Sequence, residues 1–123
     1  MSNAATTKMV TMDLERALDA VAGDRELLAE LAVIFDEDLG GYITAFESKL
    51  EAGDAEAVYR VLHKLKGGTA PFFAEPVSEQ LIRLMAATCG GDLATASSES
   101  SELIANLNGL RATLVGRSLL ASS

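Results

Sequence analysis

Apolar residues recur along this chain at steps of three and four positions, and the pattern breaks at a few short polar turns. Met12, Leu14, Ala17, Leu18 and Val21 make a first, short helical pattern. Ala22-Gly23 stops it, and Asp24 can cap the next helix by accepting backbone N–H bonds. Leu27, Leu28, Leu31, Ile34 and Phe35, then Ile43, Phe46 and Leu50, read as one apolar stripe along a long helix. Gly40-Gly41 lies inside it and predicts a kink or a loosened turn, since each glycine costs about 1 kcal/mol against alanine in a helix.

Ala52-Gly53-Asp54 repeats the stop-and-cap signal. The next helix is expected from about Ala55 towards Ala70, where Pro71 ends or kinks it. Pro76 suits the first turn of a following helix, which carries Val77, Leu81, Leu84 and Met85. After Gly90-Gly91, Asp92 opens a last helix through Leu93, Ala96, Leu103, Leu107, Leu110 and Leu114, weakened in its middle by serines at 97, 98, 100 and 101. No strand-like alternation or internal repeat interrupts the series. The expected fold is all-α: an antiparallel, up-and-down four-helix bundle with a short extra N-terminal helix.

Composition agrees with one helical core. The chain has 123 residues, 49% of them hydrophobic, with two prolines and no tryptophan. Residues 12–118 are expected to form the domain, between a disordered leader over 1–11 and a tail over 119–123. Ser2-Asn3-Ala4 resembles a remnant of recombinant expression and is left out of the functional reading. A formal net charge of -8 argues against nucleic-acid binding, because phosphate contacts need a basic surface. No run approaches the ~20 apolar residues of a membrane span. The lone cysteine, Cys89, permits no internal disulfide and fits a reducing compartment, so a cytoplasmic protein is expected.

Candidate chemistry centres on the only histidine, His63, in the run His63-Lys64-Leu65-Lys66-Gly67-Gly68-Thr69. At roughly 100° per residue, Val58, Val61, Leu62, Leu65, Thr69 and Phe72 fall within roughly 60° of one direction. His63 lies about 140° away, beside Gly67 at about 180° and Ala70 at about 120°, so the imidazole is expected to face outward. Tyr59 and Arg60 precede it, and Lys66 and Gly67 follow it, at the three- and four-residue steps that make helix neighbours. Arg60, Lys64 and Lys66 form a small basic patch, either ordinary solvated cations or groups that offset the charge of a phosphoryl group. Gly67 costs helix stability but clears space beside the ring; strain before Pro71 is the competing reason for it. An imidazole of ordinary pKa, about 6.5, is mostly neutral near pH 7 and can attack phosphorus without a dedicated base.

The run from His63 to Thr69 resembles the signature of histidine-containing phosphotransfer domains of bacterial multistep phosphorelays: histidine, a variable residue, an aliphatic residue, lysine, glycine, then usually serine or alanine. Gly23-Asp24 with Leu27, Leu28, Leu31 and Phe35 looks like the family's first bundle helix, and Ala52-Gly53-Asp54-Ala55 like the turn before its histidine helix. The resemblance runs from about Met12 to about Leu114. It implies His63 as phosphoacceptor, Lys66 as charge compensation and Gly67 as clearance for a docking receiver domain. Tyr59, Arg60, Lys64, Gly68 and Ala70 are expected around that docking face. The implied partners are response-regulator receiver domains or a hybrid histidine kinase. Mg²⁺ is expected on the receiver, with no cofactor and no metal on this chain, which is expected to be a monomer.

Three departures stand out. Gly68 replaces serine or alanine, although Thr69 offers a nearby hydroxyl. Phe73-Ala74 stands where the family often has Gly-Ala, and Pro71, Phe72, Phe73 and Pro76 make the connection to the next helix stiffer and more apolar than the family pattern. Two other readings compete with phosphotransfer. One is an HPt-like module that docks a kinase or regulator without being phosphorylated, which leaves the intact His-Leu-Lys-Gly core unexplained. The other is an enzyme, either a metal-dependent carboxylate bundle or an autonomous nucleotide-using kinase. Asp36-Glu37-Asp38 reads instead as a solvated face, and no phosphate-binding loop of the Gly-x-x-x-x-Gly-Lys-Ser/Thr type is present.

Overall fold

The structure is a computed structural model in which residues 9–121 are described. Six α-helices account for nearly all of it: α1 (Leu14–Ala20), α2 (Arg25–Glu51), α3 (Ala55–Thr69), α4 (Glu75–Cys89), α5 (Leu93–Ser98) and α6 (Ser100–Gly116). There is no strand among the described residues. Helix α2 packs on α3 and α6, and α4 packs on the same two, so the four long helices close a ring of neighbours around one core. Leu28, Leu62, Leu65, Leu81, Leu84, Leu107, Leu110 and Leu114 fill that core from all four sides.

An aspartate starts each of four helices. Asp13, Asp24, Asp54 and Asp92 accept from the backbone N–H of Arg16, Leu27, Ala57 and Thr95 at 3.0, 3.0, 3.1 and 3.2 Å. Each bond satisfies one N–H that the first helical turn would otherwise leave open. Before α3, Gly53 takes φ +70 and hands the chain to Asp54, which fixes where the histidine helix begins.

Two expectations about helix continuity need correction. Gly40 and Gly41 do not interrupt the helix: α2 runs through them for 27 residues. Their cost is local, whereas the packing of Leu39 and Phe46 on either side holds the helix together. The last helix, expected as one, is two. It breaks at Glu99, where Ser98 and Ser100 donate their hydroxyls to the carbonyls of Thr95 and Ser97. Serine side chains offer the backbone an alternative to the helical ladder, and four of them in five residues suffice here.

The break is also where a polar cluster ties α4 to the C-terminal helices. Gln80, almost fully buried, donates to Glu99 at 3.1 Å and accepts from Asn106 at 2.8 Å. The Arg83 guanidinium and the Gln80 amide hold the Glu99 carboxyl below the usual carboxylate range.

Residues 1–8 of the expected leader lie outside the described residues, as do 122 and 123 of the tail. The neighbouring segments join the core. Val10 is buried and donates to the Gly109 carbonyl at 3.2 Å, and Leu119 and Leu120, past the expected domain end at 118, are buried as well. No helix among the described residues is long and apolar enough to cross a membrane.

Candidate functional site

Helix α3 sorts its residues as its periodicity requires. Val58, Val61, Leu62, Leu65 and Thr69 are buried, while His63, Lys64, Lys66, Gly67 and Ala70 are exposed. The imidazole lies against the Tyr59 ring one turn earlier, with centroids 6.3 Å apart and planes 26° apart. Tyr59 is half-buried, so it gives one face of the imidazole an apolar wall and leaves the other open. Among the described residues, no side chain hydrogen-bonds the imidazole nitrogens.

The cations around the ring are not equivalent. Arg60 is drawn back along the helix to Glu56, at 3.4 Å. Among the described residues, neither Lys64 nor Lys66 has an ion-pair partner. Thr69 does not supply the hydroxyl that Gly68 lacks. It is buried, and its Oγ1 donates to the Leu65 carbonyl at 2.9 Å.

Gly67 and Gly68 have no internal reason to be glycine. Neither has a positive φ, and α3 continues through both to Thr69, so no break in the helix before Pro71 demands them. A Cβ built on either meets nothing within 4 Å. The chain therefore bears the helix cost of two glycines, about 1 kcal/mol each, without using the space they leave.

That space opens into a groove of about 140 Å³ between α2 and α3. On the α2 side it is lined by Leu31, Ile34, Phe35, Asp38 and Tyr42, and on the other by Leu65, Gly67, Gly68 and Pro71. The α2 wall corrects the sequence reading. Leu27 and Ile34 belong to the outer surface rather than to the core stripe, with 40% and 53% of their area exposed. Their positions, about 100° and 120° from buried Leu28 on a helical projection, carried that signal. The acidic run divides as well: Asp36 pairs with Arg111 on α6, Glu37 is exposed, and Asp38 sits on the groove.

Beyond α3 the chain makes a 3₁₀ turn, Ala70–Phe72, and then places Phe73 at φ +49, ψ +47. This left-handed conformation explains why glycine suits the position. Phe73 is held there by a bond from the Asp13 N–H to its carbonyl, at 3.1 Å, and by the Arg16 guanidinium 4.7 Å over its ring. Helix α1 thereby braces the turn that closes the histidine helix.

With this arrangement in view, comparison with known families is decisive. The profile of the Hpt domain matches residues 30–113, more than half of the chain and all of α3. The chain belongs to the Hpt domain family. Hpt domains are helical bundles that serve histidine phosphotransfer in phosphorelays, where they interact with receiver domains and histidine kinases. No curated relative and no solved structure matches the chain. The Hpt match begins inside α2, so α1 and the brace on Phe73 lie outside it.

Proposed function

We propose that this Hpt domain accepts a phosphoryl group on His63 from the aspartyl phosphate of one receiver domain and passes it to the aspartate of another. A ring nitrogen attacks phosphorus through its lone pair, an N–P bond forms and the acyl P–O bond breaks. The aspartate leaves as carboxylate, and the proton on the other ring nitrogen is released when the phosphorylated ring returns to neutrality. In the onward step a receiver carboxylate attacks phosphorus and the imidazole leaves.

The remaining roles follow from position. Lys66, one turn from His63 and free of any ion pair among the described residues, offsets the charge on the phosphoryl oxygens. Gly67 admits the receiver's backbone beside the ring. Tyr59, Lys64, Gly68 and Ala70 border the contact, and Arg60 contributes less because Glu56 holds it. The receiver brings the acidic pocket and its Mg²⁺; this chain brings an imidazole and a surface, and acts as a cytoplasmic monomer.

The observation that most supports this reading is the pairing of an exposed imidazole with a helix glycine that neither backbone nor packing requires. The test is incubation with phosphorylated receiver domains. An acid-labile, base-stable label is expected on the wild-type chain and absent from His63→Gln. Label of the same chemistry on His63→Gln would overturn the assignment.

A further inference from the structure

The groove beside Gly67 carries charge of one sign on one wall and of the other sign beyond its opposite wall. Its α2 wall is made of the aliphatic Leu31 and Ile34, the rings of Phe35 and Tyr42, and Asp38, the only charged residue among the described residues that lines it. Across the groove, α3 presents Lys64 and Lys66 on its exposed surface around the glycine pair. Asp38 is exposed and, among the described residues, has no ion-pair partner. Its charge is therefore not used by any of the described residues.

The apolar part has a definite form. Leu27, Leu31, Ile34 and Asp38 follow one another at steps of four, three and four residues, the seam along which a second helix packs. The seam is about 17 Å long at 1.5 Å per residue, or three turns of a partner helix. At its Asp38 end it meets Gly67 and Gly68, where the absence of Cβ atoms lets another backbone come close.

We propose that Asp38 is a specificity-determining residue for the phosphotransfer partner. It selects receiver domains whose docking helix has an aliphatic face and a lysine or arginine placed to meet its carboxylate. Lys64 and Lys66, meanwhile, face the acidic surround of the receiver's phosphorylated aspartate. A surface with both signs fixes orientation as well as identity, because a partner turned end for end brings like charges together. This inference rests on the phosphotransfer reading above and adds which receivers the site accepts.

The test measures initial rates of transfer from a panel of phosphorylated receivers to the wild type, Asp38→Asn and Asp38→Lys, at low and high salt. With the preferred receiver, the concentration giving half-maximal rate should rise about fivefold in Asp38→Asn at low salt, and further in Asp38→Lys. The gap should narrow at high salt, where the pair is screened. Asp38→Lys should also change the order of preference among receivers, favouring those with an acidic residue on the docking helix. Asp38→Asn keeps the shape of the side chain, so an effect of shape alone leaves its half-maximal concentration and salt dependence at wild-type values. That result, or an unchanged receiver order in Asp38→Lys, overturns the inference while leaving phosphotransfer standing. If the wild type takes no label from any receiver, the phosphotransfer reading fails and this inference fails with it.

Discussion

Replacing Gly67 should make the protein more stable and less active. The site is helical, its φ is not positive, and a Cβ there meets nothing within 4 Å. Any side chain thus fits the isolated domain, and the helix gains what glycine lacks. Gly67→Ala should stabilise by about 0.5–1 kcal/mol, and Gly67→Gln by about 0.5 kcal/mol, through reduced freedom of the unfolded chain. In a domain of this size either change raises Tm by a few degrees. Docking responds in the opposite direction. A glutamine one turn from His63 occupies the space a receiver must enter, and displacement of the reacting atoms by about 1 Å can cost about 100-fold in rate. Gly67→Gln should therefore melt above the wild type and transfer at least tenfold more slowly, with Gly67→Ala melting at least as high and its rate falling between the two. Urea or thermal unfolding followed by circular dichroism, alongside transfer kinetics, reads both quantities on one sample. Wild-type transfer by Gly67→Gln would refute the clearance argument, and a fall in stability would refute the account of an open helix surface.

Three further outcomes probe the frame around the site. At Phe73, held at φ +49, glycine should be tolerated better than alanine: Phe73→Gly should be more stable than Phe73→Ala by about 1 kcal/mol in urea unfolding, the reverse of the order in a helix interior. Asp54→Ala removes the bond to the Ala57 N–H and should cost about 1 kcal/mol, with hydrogen exchange rising first in the opening turn of α3. Acid should weaken the fold through Glu99 and Asp92, whose carboxyls lie below their ordinary values because of Arg83 and Gln80 in one case and Thr95 in the other. The unfolded chain takes up those protons first, so the contribution is present above about pH 4.5 and is lost as pH falls through the folded values. Glu99→Gln should flatten the decline of Tm between pH 5 and pH 3.

The helices that place the imidazole were legible because local rules and tertiary packing agree along α3. Asp54 caps it, one narrow stripe buries it, and His63 falls outside that stripe in projection and in structure alike. Along α2 the same rules reach less far. Its apolar residues spread over a wider arc than the core can cover, and reading them as one stripe hid the groove wall that Leu31 and Ile34 form. Gly40-Gly41 misled because a glycine's cost is fixed locally, whereas a 27-residue helix is held by what lies on either side of it. The brace of α1 on Phe73 could not be read at all. It joins Asp13 and Arg16 to a residue some sixty positions away, and no local spacing encodes such a contact.

The claim on which the rest depends is that His63 carries the phosphoryl group. Tandem mass spectrometry at neutral pH, on the chain after brief reaction with a phosphorylated receiver, tests it most directly. A single phosphorylated residue, His63, is expected, whose modification disappears when an unphosphorylated receiver is added and reappears on that receiver's aspartate. Phosphate on a serine, threonine or aspartate of this chain, or on His63 in a form no receiver can remove, would contradict it.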